Sequence, residues 1–340
     1  MANRRSVTIS DIAKEVGMSP STVSRVINRR GYFSEDTLAR VEEVMISLGY
    51  RPSGSSRGSN GTTPKLVGLI IPDLSNVFYT SVSTAASRML NALGYDMILC
   101  VNEEDPDRDL NSLKMLEEKC VDGIIYAHPA NGDNSEELRA LVSRGMPVVE
   151  INRQREVDLL DAVLADNLRG SQQGTDYLLS LGHKRIGFIT GMSSTTTGSE
   201  RLLGYQTSMT RVGLPIDRDL VRVGDFSREW GEKVTREMMS LSNPPTAIFA
   251  TSNRIALGSL QVLNELKIHI PDQISFISFD DSEWLSAWSP PITALDIAID
   301  EMAKLSVQLL HNRISGKGQK PVTYHLGTNL VTRQSCKQIA

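Results

Sequence analysis

Cysteine is scarce in this sequence. The 340 residues hold three, Cys100, Cys120 and Cys336, widely spaced and odd in number. That excludes a disulfide framework and a cysteine-rich metal cluster, and suits a reducing cytoplasm in which the three serve as small hydrophobes. Long apolar runs are missing too; nothing approaches the roughly 18 residues of a membrane span. The opening MANRRSVTIS carries charge but no apolar segment of a secretory signal, so the expected location is cytoplasmic. There is no Walker A loop, no HExxH, no GxSxG and no metal-ligand spacing. The expectation is therefore a protein without a resident cofactor or metal and without enzymatic activity. His183, in LGHKR between a helix and a strand, reads as a structural loop residue rather than a catalytic base.

What remains is an ordinary soluble composition, 40% hydrophobic and 22% charged, with room for two or three domains. The net charge of −4 conceals an asymmetry. Residues 1–63 carry nine basic and six acidic side chains, against 27 and 34 in the remainder. A mildly basic head on an acidic body is consistent with nucleic-acid binding confined to the head.

The head contains TISDIAKEVGMSPSTVSRVIN, Thr8 to Asn28, which predicts two short helices joined by a tight turn. Thr8 and Asp11 are spaced for reciprocal capping, Ile12 and Val16 form one apolar face, and Gly17 suits the left-handed residue that stops a helix. Ser19 is placed to cap the second helix, with Pro20 at its first position. Val23, Val26 and Ile27 face inward, which leaves Ser21, Thr22, Ser24, Arg25 and Asn28 outside. Small hydroxyls at a helix start and an arginine one turn later suit a major groove: hydroxyls reach phosphates and base edges, and arginine can fork onto guanine. A third helix follows, capped by Ser34 and striped by Leu38, Val41, Met45 and Leu48. Residues 53–64, SGSSRGSNGTTP, are a linker by composition, with Arg57 as its one charge. The expected domains are a helix-turn-helix head over 1–52, this linker over 53–64, and a body over 65–340.

From Leu66 the pattern becomes strand–helix alternation. LVGLIIP, YDMILCV, DGIIYA and PVVEIN with AVLAD are the first set of strands, and RIGFITG, VRVGDF, AIFATS and ISFISFDD the second. Helices lie between them, at about 76–93, 136–144, 170–181, 199–212, 229–240 and 256–266, with one more through Leu110, Leu113 and Leu116. This predicts an α/β fold of two similar lobes with doubly wound parallel sheets. Ligands of such folds bind beyond the carboxyl ends of the strands. Residues just after the strands are Asp73–Tyr79, Asn102, Ala127–Pro129, Asn152–Arg153, Gly191–Arg201, Asp225–Phe226, Ser252–Asn253 and Phe279–Asp281. They mix aromatics, Phe78, Tyr79, Phe226 and Trp284 among them, with the planar polar groups of Asn152, Arg201, Asn253 and Asp280. That combination suits a small polar ligand such as a sugar.

The head, with SEDTLARVEEVMISLGYRP after it, resembles that of the lac repressor family. The body resembles the same family through PDLSNVFYTSV, VDGIIYA, ADNLRGSQQGTDYLLSLGHKRIGFI, GSERLLGY, IPDQISFISFDD and SPPIT. The resemblance implies a homodimeric regulator, by family habit a repressor, that binds palindromic operator DNA. A helix-turn-helix head would sit before a two-lobed body like a periplasmic binding protein, whose cleft ligand, a sugar or sugar derivative, changes operator affinity. By position it implies base reading by Pro20, Ser21 and Arg25 and phosphate contacts or packing by Thr22, Ser24 and Asn28. Thr8, Ser19 and Arg57 complete the candidate DNA-binding set. In the cleft it implies effector contacts by Arg201 and Asp280, and further ones by Phe78, Tyr79, Asn152, Thr195, Phe226, Ser252 and Asn253. Thr195 stands where a purine-binding member has arginine, which favours a sugar, and Ser252-Asn253 replaces a common Asn-Asp. The linker departs most: SGSSRGS stands where the family usually has a hinge helix, and Ser59 holds the place of its wedging leucine. Gly54 and Gly58 each cost a helix about 1 kcal/mol relative to alanine, so a poorly helical, non-intercalating hinge is expected. Two alternatives stay open. One is a catabolite-control-type regulator answering to a phosphorylated protein; the other is a stand-alone sugar-binding module.

Overall fold

The structure is a computed structural model and describes residues 8–27, 33–48 and 65–339. The linker, Asn28 and Arg57 lie outside the described residues. Three helices form the head: α1 (Ile9–Val16), α2 (Pro20–Ile27) and α3 (Glu35–Leu48). Their starts are set by side chains. The Thr8 hydroxyl accepts from the Asp11 amide at 3.4 Å, and the Asp11 carboxylate accepts from the Thr8 amide at 2.8 Å. The Thr22 amide donates to Ser19 Oγ at 3.1 Å and the Thr37 amide to Ser34 Oγ at 3.3 Å. Gly17, with φ of 76°, ends α1 in a conformation that costs a residue with a Cβ more. Ile12, Val16, Val23, Val26 and Val41 meet in one small core, with Leu38, Met45 and Leu48 against it.

The body starts with β1 (Lys65–Ile71), α4 (Val77–Ala92), β2 (Tyr95–Val101), α5 (Pro106–Glu118), β3 (Gly123–Tyr126), α6 (Ser135–Ser143), β4 (Val148–Ile151) and β5 (Asp161–Ala165). The alternation restarts with α7 (Asn167–Ser180), β6 (Ile186–Thr190), α8 (Thr196–Arg211), β7 (Val221–Val223), α9 (Arg228–Met239), β8 (Ala247–Ala250), α10 (Asn253–Glu265), β9 (Ser275–Phe279), α11 (Glu283–Ala287) and β10 (Thr293–Ile297). It closes with α12 (Ile299–Ile314), β11 (Thr323–Leu326) and β12 (Thr328–Val331). Two six-stranded sheets result, ordered β11-β5-β4-β3-β1-β2 and β12-β10-β9-β8-β6-β7. Pairing is parallel except for β12, which runs antiparallel to β10. Buried strands such as β5, β6 and β9 are apolar enough to be covered on both faces. Among the described residues no helix is long and apolar enough to cross a membrane.

The lobes are not contiguous in sequence. After β10 the chain returns to the first lobe, where α12 packs on α4, β3, β4 and β5 and β11 extends the sheet beside β5. It then crosses again into β12. Three strands of chain thus join the lobes, at Asp166, Ala298 and Gly327, and the Asp166 amide bonds the Leu326 carbonyl at 2.7 Å. A bidentate pair pins the returning chain in each lobe. Arg313 holds Asp161 at 2.7 and 2.8 Å, and Arg333 holds Asp281 at 2.6 and 2.8 Å.

Several helices of the second lobe begin three residues before their apolar pattern does. Asp166, Thr195 and Ser252 cap α7, α8 and α10 with their side-chain oxygens. The first turns they create are polar, so apolar periodicity overlooks them. Thr197 of α8 and Arg254 of α10, in two of those turns, line the space between the lobes.

Candidate functional site

A cavity of about 350 Å³ lies between the lobes at the carboxyl ends of the strands. Asp73, Asn76, Phe78, Tyr79, Glu104, Asn152 and Arg153 line it from the first lobe. Thr197, Arg201, Asp225, Phe226, Ser252, Arg254 and Asp280 line it from the second.

The second-lobe wall is built round Arg201. It is 3% exposed, and its guanidinium lies 3.7 Å from the centroid of the Phe279 ring. Its Nε donates to Asn167 Oδ1 at 2.8 Å, one terminal nitrogen donates to the Thr251 carbonyl, and the other stands 3.4 Å from Asp280. Burial pulls the guanidinium pKa down against the help of Asp280. Burial likewise pushes the Asp280 carboxyl up, opposed by Arg201 and by the Asn253 amide. Asp280 sits at φ of 66°, just after β9, a left-handed setting that aspartate tolerates better than most residues. Phe226 can lean over the end of β6 because Gly191 is there; a Cβ at that position would meet its ring at 2.2 Å. Gly198 does the same for the start of α8, where a Cβ would meet the Met192 carbonyl at 2.0 Å.

The first-lobe wall has a matching device. Arg153 is 4% exposed and forks onto Glu104 at 2.8 and 2.9 Å, with a further bond to the His128 carbonyl at 2.8 Å. Burial disfavours its cation, yet the neighbouring Tyr79 and Glu104 hold its pKa above the usual guanidinium value. Asn152, at φ of 65° after β4, donates to the Tyr79 hydroxyl at 2.9 Å and leaves its Oδ1 buried without a partner. Burial raises the pKa of that Tyr79 hydroxyl, so it stays protonated and able to donate. Phe78 and Tyr79 pack edge to face with centroids 5.1 Å apart. The wall thus offers aromatic surface, an amide and carboxylates, a set that can take the C–H faces and hydroxyls of a polyol.

Of the nine candidate effector residues, Phe78, Tyr79, Asn152, Arg201, Phe226, Ser252 and Asp280 come together on this cavity. Thr195 and Asn253 do not line it. Thr195 turns inward to cap α8, accepting from the Gly198 amide at 3.0 Å and donating to the Met192 carbonyl at 2.8 Å. Asn253 stands behind Asp280; its Oδ1 accepts from Ser282 Oγ at 2.9 Å. Trp284, also expected near the cleft, packs against Trp288 and the second-lobe core. Glu103, Glu104, Asn131 and Arg254 belong to the wall and were not singled out by strand ends. Arg254 lies inside a helix, and the glutamates lie in a turn after Asn102, at φ of 53° and 58°.

In the head, Pro20, Ser21 and Arg25 are exposed on α2, with Arg25 one turn beyond Ser21. Thr22 and Ser24 are half-buried. Thr8 and Ser19 are exposed but already hold caps, and Ser19 Oγ also lies 2.8 Å from Thr22 Oγ1.

Residues 8–53 match the model described as bacterial regulatory proteins, lacI family, and residues 175–336 match a periplasmic binding protein-like domain. The chain is 32% identical to the HTH-type transcriptional regulator DegA of Bacillus subtilis (strain 168), over 96% of this chain and 97% of that protein. It is 31% identical to the HTH-type transcriptional repressor PurR of Actinobacillus pleuropneumoniae serotype 3 (strain JL03), over 98% and 99%. Among solved structures it resembles the transcriptional regulator CelR–cellobiose complex, with a TM-score of 0.73 and 27% identity over 97% of this chain and 99% of that one.

Proposed function

The chain belongs to the lacI family of bacterial regulatory proteins, and we propose that it is a cytoplasmic homodimeric regulator whose cleft takes an uncharged sugar. The family makes it a DNA-binding transcriptional regulator. The finer reading is that α2 reads operator bases through Pro20, Ser21 and Arg25. The effector would lie between Phe78, Tyr79 and Phe226 and bond to Asn152, Arg201 and Asp280. It would act without being chemically changed.

One observation carries the choice of ligand. The two buried guanidinia of the wall are each matched by a carboxylate, Arg153 by Glu104 and Arg201 by Asp280, while the more exposed Arg254 faces Asp73 at 3.7 Å. A phosphate or carboxylate entering here would have to compete with Glu104, Asp280 or Asp73 for its cation. A neutral polyol needs no such exchange and can bond to the polar side chains of the wall, Asn152 among them. The volume, about 350 Å³, falls at the small end of ligand sites. For the ligand to regulate, it must favour one lobe arrangement over another, because equal affinity for both shifts nothing.

Cellobiose, which CelR holds in its complex, is a reasonable first probe, set against its phosphate ester and a panel of other neutral sugars and purines. A neutral sugar present at 100 times its Kd should add about 2.7 kcal/mol of stability. The phosphate ester of the same sugar should add none. Asp280→Ala should lose the sugar's effect on operator binding and keep operator binding itself. Arg25→Ala should cost about 1–3 kcal/mol of that binding. Stabilisation by phosphorylated sugars but not neutral ones overturns the ligand class, and an unchanged operator footprint removes Arg25 from base reading.

A further inference from the structure

Arg254 is the second residue of α10, in a first turn that holds no acidic residue. A cation there opposes the helix dipole, which favours negative charge at the N-terminus. Nothing in its own helix explains it. Across the cavity stands Asp73, just beyond β1 in the other lobe, with Oδ2 3.7 Å from Arg254 Nε. The Asp73 carboxylate is held in place by its own turn: Oδ1 accepts from the Ser75 amide at 2.7 Å and from Ser75 Oγ at 2.6 Å. Oδ2 is thereby left to face the second lobe. Arg254 Nε is buried and has no hydrogen-bond partner. The two atoms form an ion pair but stand about 0.8 Å beyond a normal N–H···O distance.

Other ties between the lobes are uncharged or diffuse. The Gln154 amide reaches Thr196 Oγ1 and Ser194 Oγ reaches the Ala130 carbonyl, both at 3.3 Å, and the Arg153 guanidinium lies 5.5 Å from the centroid of the Phe226 ring. We propose that Arg254 is a positioning residue for lobe closure, and that with Asp73 it forms a charge latch setting how far the cleft stands closed before any effector enters. A small further closure converts the pair into a charge-assisted hydrogen bond, so the latch favours the arrangement that encloses a ligand. Its regulatory meaning rests on the effector reading above, but its test needs neither effector nor DNA. Failure of cellobiose to bind would therefore leave the latch standing, and failure of the latch would leave the ligand reading standing.

Spin labels on Cys120, which is exposed in the first lobe, and on a Ser242→Cys site, exposed in the second, report the separation of the lobes. Cys336→Ser removes a competing thiol, and labelled full-length protein is diluted with a large excess of unlabelled protein so that distances within one chain dominate. At low salt the unliganded parent should give a narrow distance distribution. Arg254→Met and Asp73→Asn should each broaden it and lower the closed-to-open ratio by roughly 1.5- to 5-fold, the range of a partly exposed ion pair. Arg254→Lys should retain most of the closed population. Raising salt should loosen the parent more than it loosens Arg254→Met, because only the parent has this pair to screen. If Arg254→Met overlays on the parent, or if Lys and Met behave alike, the charge latch is wrong.

Discussion

Arg201 on the second-lobe wall and Arg153 on the first are both buried, at 3% and 4% exposure. Both are claimed by carboxylates of their own lobe. Their partners differ. Asp280 is itself buried, with 7% of its side chain exposed, and must also reckon with a ring stacked under Arg201. Glu104 keeps 27% of its side chain exposed. Each wall's ion pair is therefore complete within its own lobe, but one is sealed and the other is wetted. A sealed wall defines a fixed shape, whereas a wetted wall can exchange protein hydrogen bonds for water as the cleft opens. For the proposed cleft ligand, the second lobe would then set orientation and the first would be the adjustable side.

The largest expected effect follows from the sealed wall. Arg201→Met keeps volume but leaves Asp280 as an unpaired buried carboxylate, which costs about 3–5 kcal/mol in a fully enclosed pair. Denaturant titration of the full-length protein should read that loss. Its pH dependence carries a sign. Burial already raises the pKa of Asp280, and Arg201 and its hydrogen bond lower it. Without Arg201 the folded-state pKa rises further above the unfolded value. The variant's deficit should then be smallest in acid, where Asp280 is protonated in both states, and grow as pH rises through the folded pKa. A deficit that is flat with pH would mean that Asp280 finds another partner.

Arg153→Met should cost less, about 1–3 kcal/mol, because the Glu104 side chain can turn to water while only the hydrogen bonds to a charged group are lost. The same titration compares the two variants. If Arg153→Met proves the costlier, the contrast between sealed and wetted walls fails.

The strand-end rule recovered most of this cavity because the rule concerns backbone direction, which local pattern encodes. Continuous apolar strands told where each turn begins, and Asn152, Phe226 and Asp280 follow directly. The residues that complete the ion pairs were harder to see. Glu104 belongs to a positive-φ turn whose geometry no periodicity announces, and Arg254 sits inside a helix whose polar first turn hid its start. Beyond Asp281 the alternation offered no reading. β11 is an edge strand with mostly exposed side chains, TYHL, so it lacks the apolar run that marks the others. The return of α12 to the first lobe is a long-range packing event, and nothing local specifies which lobe an amphipathic helix will cover. In the head, by contrast, caps and apolar stripes are short-range, and all three described helices begin where their caps stand.

The smallest expected effect tests whether the second lobe's interior is sealed beyond the cavity. His183 is 1% exposed and is held between uncharged groups, Thr246 Oγ1 at 2.9 Å and the Lys337 carbonyl at 3.2 Å. The carbonyl can only accept, so Nε2 carries a proton, while Nδ1 lies against the Thr246 hydroxyl, which also reaches the Arg185 carbonyl at 3.2 Å. Burial lowers the imidazole pKa below its ordinary 6.5, outweighing the Lys337 carbonyl, so the folded protein keeps this ring neutral. The unfolded chain binds a proton there first. Stability from this group is thus fully present above pH 6.5 and is lost as pH falls through the lower folded value. His183→Gln preserves one donor and one acceptor but cannot titrate. Thermal melts of parent and variant should run parallel above neutrality, with the parent falling away more steeply on the acid side. Parallel curves throughout would show that water reaches His183 as freely as it reaches Glu104, and the difference between the lobes would then stop at the cavity wall.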